Sequence, residues 1–378
     1  MTVLISPVDG ETVSLLTEEQ KAFRTETRAD ASGVHFDYLN LMRQGTDRSA
    51  PAKVLFSWET DEPEPVLVLS EDPSFLKMPA AGAALSDAGM AATAFAAAGR
   101  AAAAPVVPGT DVRVIRTAKT ETSIGNLKIG QTYYWRVGSS AVHSFTTEDL
   151  TPRWIFAEGA TNIRDLGGWK TQEGKRVRQG LIYRGSELDW ISYRDRDPRL
   201  EPQAHTAVTE EGRRILREEL RIRTDLDLRL GVVGGLTESP LGPDVSLRLI
   251  PSLPYDEFLA EDQYPAAKAI FECLADASAY PVYYHCWGGA DRTGTIAYLL
   301  LAYLGVPEED LILDYELTSL SIFGIRARTL GFFREFMRAL AAFDPEGTPK
   351  SRAERFLRAC GLSEDTLASL KQNLLEEN

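Results

Sequence analysis

The sequence predicts two domains: an N-terminal all-β sandwich, and a C-terminal α/β domain with a central sheet flanked by helices. Three observations support this fold class. The chain has 378 residues, which fits two cores better than one. Short strand-like segments fill the first half, whereas strands alternate with longer helical segments in the second. The pattern changes after Thr151-Pro152-Arg153, so the predicted domains are residues 1–150 and 151–378.

The N-terminal domain is predicted from alternating apolar and polar positions. Tyr133, Trp135 and Val137 alternate with polar or less apolar neighbours, as in a strand with one face on a core. The predicted strands are Val54 to Trp58, Pro65 to Leu69, Val112 to Ile115, Thr132 to Val137 and Val142 to Thr146. Residues 79–105 are almost entirely Ala, Gly and Ser, which predicts a helical or poorly ordered insertion.

One part of this half resembles fibronectin type III domains. It runs from Leu127 to Val137 and continues through His143 to Thr147. Leu127 and Tyr133 stand where that family places its tyrosine corner, and Trp58 suits the core aromatic residue of such a sandwich. The resemblance implies a module for protein or carbohydrate contacts.

The C-terminal domain is predicted from strands that alternate with helices. The predicted strands are Leu181 to Arg184, Ile222 to Leu228, Val245 to Ile250 and Pro281 to His285. Ala266, Ile270 and Leu274 recur at helical spacing, so a helix joins the last two strands. Residues 308–375 are predicted to be mostly helical.

Composition limits the partners and the compartment. The net charge of −14 opposes binding to nucleic acids, and the longest strongly apolar stretch, Thr295 to Leu304, is about half a membrane span. The three cysteines have no close spacing, which argues against a disulfide framework or a four-ligand zinc site. The N-terminus lacks the features of a secretory signal, so we expect a cytoplasmic protein or one whose signal was trimmed.

One stretch has the order of an anion cradle. An apolar strand ends at His285, a loop follows, and an apolar helix begins near Thr293. Five residues separate Cys286 from Arg292, which lets backbone N–H groups point inward in front of the positive end of the helix. Glycines in the loop permit backbone angles that a side chain would resist. The predicted cradle consists of His285, Cys286, Trp287, Gly288, Gly289, Ala290, Asp291, Arg292 and Thr293.

These residue types suit phosphoryl transfer without a metal or other cofactor. The helix terminus and Arg292 both favour the thiolate of Cys286, which is the predicted nucleophile. Arg292 presents a planar fork that can hold two phosphoryl oxygens and tighten in the transition state. Thr293 is predicted to hydrogen-bond the departing thiolate, and His285 to orient the loop.

The pattern His-Cys, five residues, Arg-Thr-Gly is similar to the signature of the protein tyrosine phosphatase superfamily. Four further blocks resemble the bacterial atypical tyrosine phosphatases: Asn162 to Gly168, Tyr183 to Ser186, Asp225 to Arg229 and Asp314 to Glu316. The similarity covers roughly residues 153–375. It implies hydrolysis of phosphotyrosine, in some members also of phosphoserine, phosphothreonine or phosphoinositides, in a phosphorylated protein or a small phosphomonoester.

A general acid must protonate the leaving oxygen, and two carboxylic acids are candidates. Asp291 lies inside the loop, at a position where the resembled group also carries Asp. Asp256 follows the Val245 strand, where the superfamily commonly places a mobile acid-bearing loop. The sequence slightly favours Asp291, because the motif fixes its proximity, but leaves both open.

Three other residues are candidates for substrate binding. Arg164 and Asp165 precede two glycines, a setting in which a polar pair more often forms a turn and an internal ion pair. Trp287 is predicted either to stack on an aromatic or sugar substrate or to cover the sheet edge. Asp227 and Arg229 favour a scaffold role.

Ala290 departs from the resembled group, which usually has Lys there. Arg292 is then the loop's only formal cation, so phosphoinositides and inositol phosphates rank below phosphotyrosine-like esters. Another alternative is a pseudophosphatase that binds phosphorylated ligands without turnover, against which the intact Cys286 and Arg292 argue. In a last alternative, the β-domain carries the main function as a surface adhesion module, and the α/β domain is secondary.

Overall fold

The computed structural model describes residues 2–29, 47–74, 111–189, 207–230 and 236–377. The chain forms two compact units, the first comprising Met1–Leu15 with Pro51–Leu150 and the second Leu16–Ala50 with Thr151–Asn378. The break after Leu150 lies beside the predicted seam, but Leu16–Ala50 belongs to the second unit, unlike the predicted span 1–150. The alanine-rich stretch at 79–105 lies outside the described residues.

The described part of the first unit contains two sheets. Its strands are β1 (Val3–Ser6), β2 (Glu11–Val13), β3 (Val54–Glu59), β4 (Val66–Ser70), β5 (Arg113–Arg116), β6 (Glu121–Ile124), β7 (Thr132–Val137) and β8 (His143–Thr147). One sheet has the order β1-β3-β6 and the other β2-β8-β7-β4-β5. Neighbouring strands are antiparallel except β2 and β8, which are parallel. The five predicted strands correspond to β3, β4, β5, β7 and β8.

Both sheets of this unit contribute to one core. Phe56 of β3 contacts Trp135 of β7 and Phe145 of β8, with ring centroids 5.1 and 5.6 Å apart. All three side chains are fully buried, as is Trp58 at 1% exposure. Burying each such aromatic side chain stabilises the fold by roughly 1.5–3 kcal/mol. The alternation along the sequence therefore identified the core-facing positions correctly.

The second unit contains a mixed six-stranded sheet. Its strands are β9 (Arg153–Trp154), β10 (Arg164–Asp165), β11 (Ile182–Gly185), β12 (Thr224–Asp227), β13 (Ser246–Leu249) and β14 (Val282–His285). The order is β13-β12-β14-β11-β10-β9; the first four strands are parallel, and β10 and β9 are antiparallel. The four predicted strands are confirmed as β11 to β14. The two-residue strands β9 and β10 were not predicted.

Helices accompany this sheet. They are α1 (Glu18–Ala29), α2 (Glu210–Arg214), α3 (Tyr264–Ala275), α4 (Asp291–Leu304), α5 (Glu308–Leu317), α6 (Gly331–Ala341), α7 (Pro349–Ala359) and α8 (Glu364–Leu374). The predicted helix before β14 is α3, and the predicted helical tail comprises α5 to α8. Within the described ranges, none of these helices combines the length and apolarity needed to cross a bilayer.

Helix α4 fixes the position of the site. Every residue from Thr293 to Leu304 is buried, which is typical of a helix surrounded by the core. The helix ends at Gly305, whose φ of 92° is left-handed, as at many helix C-termini. Its N-terminus lies directly after the loop that follows the central strand β14.

Described residues between positions 16 and 50 are tied to the rest of the second unit by hydrogen bonds. The Ser49 hydroxyl accepts the Asn162 N–H at 3.0 Å, and Arg24 Nη1 donates to the Thr151 hydroxyl at 3.1 Å. The Arg48 N–H donates to the Leu320 carbonyl at 2.8 Å. These contacts explain why residues 16–50 belong with the second unit.

Candidate active site

The cysteine loop joins the central strand to the buried helix. Strand β14 is paired on both sides, by β12 and β11, so its last residue, His285, is held rigidly. Cys286 follows with 3% exposure and a free thiol. The loop then reaches α4, whose first N–H groups have no partners within the helix. A thiol is thus placed before a helix N-terminus at the carboxyl edge of a parallel sheet, where α/β folds bind ligands.

Gly289 shows why the loop needs glycine. Its φ is 63°, a left-handed conformation that L side chains resist, and a Cβ there would lie 2.3 Å from the Gly185 carbonyl oxygen. Gly288 has no such strain, but a Cβ on it would come within 2.7 Å of the Phe323 ring. Gly289 is therefore required by the backbone, whereas Gly288 is limited by a side chain.

Two polar groups of the first turn of α4 have no hydrogen-bond partner among the described residues. Arg292 Nε and Thr293 Oγ1 are buried and make no hydrogen bond within the part of the chain that the structure describes. Burying such groups without partners costs about 1–3 kcal/mol each. A bound oxyanion would satisfy Arg292, and a departing thiolate could accept from Thr293.

Hydrogen bonds from two side chains hold the carbonyl groups of the loop. Asn162 Nδ2 donates to the carbonyls of Gly288 at 3.0 Å and Gly289 at 3.2 Å. Arg184 also donates to the Gly289 carbonyl, at 2.8 Å. Holding these carbonyls outward leaves the N–H side of the loop facing the cradle, which favours an anion there.

A buried ion cluster holds those anchors in turn. Asp314 accepts from Arg164 Nε at 3.0 Å through one oxygen and from Arg184 through the other. Burial raises the pKa of Asp314, but the two arginines more than offset this and lower it. Burial lowers the pKa of Arg164 to about 10, and the side chain also donates to Asn162. The cluster acts on the loop through Asn162 and Arg184.

Arg164 and Asp165 therefore have internal partners. Both are 0% exposed, and Asp165 accepts from Arg153 at 2.8 Å and from the backbone N–H groups of Gly167 and Gly180 at 2.7 and 2.6 Å. These contacts favour the ion-pair alternative for both residues over direct substrate binding. A side chain without exposed surface cannot reach a ligand unless the fold rearranges.

The contacts and the raised pKa of His285 both favour a doubly protonated, positively charged ring. Its Nε2 lies 3.0 Å from Asp225 Oδ1 and its Nδ1 lies 3.0 Å from the Cys286 carbonyl oxygen, and only a doubly protonated ring donates to both. Burial by itself lowers the pKa, but the charges of Asp227 and Asp225 outweigh it and raise the pKa to about 9. His285 thus fixes the carbonyl of Cys286.

The scaffold role predicted for Asp227 and Arg229 is supported by their contacts. Both are buried, and Arg229 binds Asp227 and Asp189 at 2.7 Å and Glu187 at 2.8 Å. Burial raises the pKa of Asp227, but the charges of His285 and Arg229 more than offset it and lower the pKa. The cluster braces the segments that follow β11 and β12.

The two candidate acids lie in different surroundings. Asp291, the first residue of α4, accepts from Arg326 Nε and Nη2 at 2.8 Å each and from the Tyr255 hydroxyl. Asp256 lies at the start of the short 3₁₀ helix Glu257–Leu259, is half-buried, and has no side-chain partner among the described residues. Asp291 is therefore fixed in place, whereas no hydrogen bond from a described residue holds the Asp256 side chain.

Aromatic side chains border the loop. The Trp287 and Phe323 rings lie 5.7 Å apart. Beside Asp291, the Tyr255 ring lies 4.8 Å from the ring of Phe332, and Phe332 is 38% exposed. The side chain of Ala290 is a methyl group and is 2% exposed, and it adds no polar group to this border.

Sequence reasoning singled out neither Arg326, Tyr255 nor Phe323. Arg326 and Phe323 lie in a segment without a motif, and Tyr255 directly precedes the candidate acid Asp256 but has no pattern of its own. No spacing relates the three residues to Cys286. The sequence gives only a weak indication for Arg326. It lies in the connection between α5 and α6, from which an arginine side chain could reach the cysteine loop. The contact with Asp291, 35 positions away, follows only from the fold.

Fold and site together define a class. A buried thiol after the central parallel strand, an arginine in the next helical turn and carbonyls held by side chains form an arrangement that can bind an oxyanion beside a thiol. A family described as the tyrosine phosphatase family matches residues 155–232 and 251–376, which is more than half of the chain. The chain therefore belongs to the tyrosine phosphatase family.

Two curated relatives support the placement. A protein of Cupriavidus necator that carries the name of a tyrosine-protein phosphatase is 33% identical over 165 residues, covering 41% of this chain and 59% of its own length. The tyrosine-protein phosphatase of Nostoc commune is 37% identical over 65 residues, 17% of this chain and 22% of the relative. The chain thus spans less than two thirds of either relative.

One solved structure is a distant match. The core catalytic domain of the PP-IP phosphatase SIW14 from S. cerevisiae, in complex with citrate, is 14% identical with a TM-score of 0.27. The match covers 45% of this chain and 92% of that domain.

Proposed function

We propose that the second unit hydrolyses phosphate monoesters through a cysteinyl-phosphate intermediate. The observation that carries this proposal is that Arg292, in the same loop as the free Cys286 thiol, has a buried Nε with no hydrogen-bond partner among the described residues. A structural arginine would be matched to a carboxylate, as Arg164 and Arg326 are. Arg292 instead keeps its donors for an oxyanion.

The reaction has two steps. The Cys286 thiolate attacks phosphorus, the bond from phosphorus to the leaving oxygen breaks, and that oxygen takes a proton from the acid. Water then attacks the phosphocysteine, gives its proton to the same carboxylate, and releases phosphate and the thiolate. Asp291 is the acid we favour, since it belongs to the loop, and Asp256 is the alternative.

Charge around the loop supports a substrate with a single phosphoryl group. Arg326 is matched by Asp291, and Arg184 by Asp314. Within the described residues, Arg292 is the basic residue of the loop without an acidic partner. Ala290 adds no cation, so a second phosphate would gain little. We therefore infer a phosphotyrosine-like ester, with dual specificity as a possible extension, above inositol phosphates and phosphoinositides.

A pseudophosphatase is the second candidate. It would keep the cradle but protonate no leaving group, which requires that neither Asp291 nor Asp256 acts as the acid. The intact nucleophile and arginine favour turnover. Turnover of p-nitrophenyl phosphate, together with vanadate binding, separates the phosphatase from the pseudophosphatase.

We further propose that the first unit is a fibronectin type III-like module for protein or carbohydrate contacts. Support comes from its three- and five-stranded sheets around one core. The Tyr133 hydroxyl also accepts the Lys128 N–H at 2.9 Å, the contact expected of a tyrosine corner. The adhesion alternative rests on the same unit.

Hydrolysis of p-nitrophenyl phosphate in mildly acidic buffer without added metal tests the proposed reaction. We expect turnover that vanadate inhibits and that Cys286→Ser abolishes while phosphate-analogue binding is retained. Arg292→Lys should weaken both binding and turnover, because an ammonium cannot reproduce the two-pronged contact. Turnover by Cys286→Ser would refute the mechanism, and an inactive wild type that still binds vanadate would favour the pseudophosphatase.

A further inference from the structure

Arg326 is built to hold one side chain. Ser319 Oγ accepts the Arg326 N–H and donates to the Arg326 carbonyl, each at 2.9 Å, and Ser319 is 0% exposed. The backbone of Arg326 is thereby fixed from both sides. The side chain then reaches the first residue of α4.

All three guanidinium nitrogens are in use. Nε and Nη2 donate to the two oxygens of Asp291, at 2.8 Å each, and Nη1 donates to the Ile325 carbonyl at 2.9 Å. A two-pronged contact sets the plane of a carboxylate as well as its position. The guanidinium is committed to this geometry rather than presented to a phosphoryl group.

The remaining neighbours of Asp291 complete a cage. The Tyr255 hydroxyl donates to Asp291 and lies 3.2 Å from the Tyr315 hydroxyl of α5. The Tyr255 N–H donates to Thr295 Oγ1 at 2.9 Å, which ties this segment to α4. Asp291 nevertheless keeps 37% of its side chain exposed. Both carboxylate oxygens thus accept hydrogen bonds, while more than a third of the side chain stays exposed.

We propose that Arg326 is a positioning residue that holds the Asp291 carboxyl at the place from which it serves the leaving oxygen. This inference rests on the proposed function and on Asp291 as its acid. A general acid contributes roughly 10²–10⁴-fold, and most when the leaving group is a poor one. Loss of a positioning residue should therefore show in the leaving-group dependence.

The experiment compares kcat for phenyl phosphate, which needs a proton donor, with kcat for p-nitrophenyl phosphate, which needs one far less. We expect Arg326→Ala to lower kcat for phenyl phosphate about 10²-fold, the scale of a misplaced catalytic group, with a much smaller loss on the nitrophenyl ester. Arg326→Lys should lie between Arg326→Ala and wild type, since it keeps the charge without the fork. Arg326→Lys also tests the proposal if Arg326→Ala fails to fold.

A double-mutant cycle tests whether the effect acts through Asp291. In an Asp291→Asn background, adding Arg326→Ala should cause no further loss on phenyl phosphate. Arg328 provides the matched control, because it binds Glu316 by Nε and Nη2 at 3.0 and 2.9 Å in the same connection. Arg328→Ala should not change the ratio of the two rates.

Several results would overturn the inference. They are an equal loss on both esters, a gain on phenyl phosphate, additive losses in the cycle, or an Asp291→Asn variant without leaving-group dependence. The proposed function fails in a different way, by turnover in Cys286→Ser. The two failures are therefore distinguishable in one set of proteins.

Discussion

Asn162 offers the sharpest test of how the cysteine loop is held. Its fully buried side chain donates to the carbonyls of Gly288 and Gly289 and accepts from Arg164. Its φ of 58° is left-handed, a conformation that Asn tolerates better than most residues. Two contributions are therefore present at one position, hydrogen bonding and backbone conformation.

Two substitutions separate these contributions. Asn162→Gly keeps the backbone conformation but removes the donor to Gly288 and the acceptor for Arg164. Leaving two buried groups unpaired costs roughly 2–6 kcal/mol, at about 1–3 kcal/mol each. Gly289 loses less, because Arg184 still donates to its carbonyl. Asn162→Ala should be about 1–2 kcal/mol worse than Asn162→Gly, since alanine resists the left-handed region.

Urea unfolding of the full chain measures the stability change, and kcat/KM for p-nitrophenyl phosphate measures the effect on the loop. We expect both variants to lose about 10²-fold in kcat/KM, the scale of a shifted catalytic group. An Asn162→Gly variant within about 0.5 kcal/mol of wild type, with unchanged kcat/KM, would refute the anchoring argument.

Two other predictions concern His285 and the loop glycines. The pKa of His285 is raised from 6.5 to about 9, so its contribution to stability is complete below pH 6.5 and is lost as the pH rises through about 9. Urea midpoints measured across that range should fall, by less in Asp225→Asn, and a flat profile in wild type would contradict the charge assignment. Gly289→Ala should abolish turnover because its Cβ would meet backbone at a left-handed φ, whereas Gly288→Ala should keep measurable turnover because its Cβ would meet the Phe323 side chain and no backbone atom. Equal activity of the two glycine variants would count against this distinction.

The sequence predicted local elements well where a pattern of period two or 3.6 runs through them. The β14 strand, the cysteine loop and α4 are contiguous, so their order alone places Cys286 before a helix N-terminus. Strands β9 and β10 escaped prediction because two residues are too short to show a period. The membership of residues 16–50 in the second unit also escaped, since it depends on contacts such as that of Ser49 with Asn162.

The sequence by itself predicted the proposed nucleophile, the arginine and the glycine loop, because Cys286 to Thr293 form one continuous segment whose geometry is local. Only the tertiary structure decided what holds that segment. Asn162 is 126 positions from Gly288, and Arg326 is 35 from Asp291. Contacts of that range depend on how strands and helices pack, and no periodicity or spacing records them. The same packing gives Arg164 a buried carboxylate partner and leaves Arg292 without one among the described residues, which is the difference between a scaffold arginine and one available to bind phosphate.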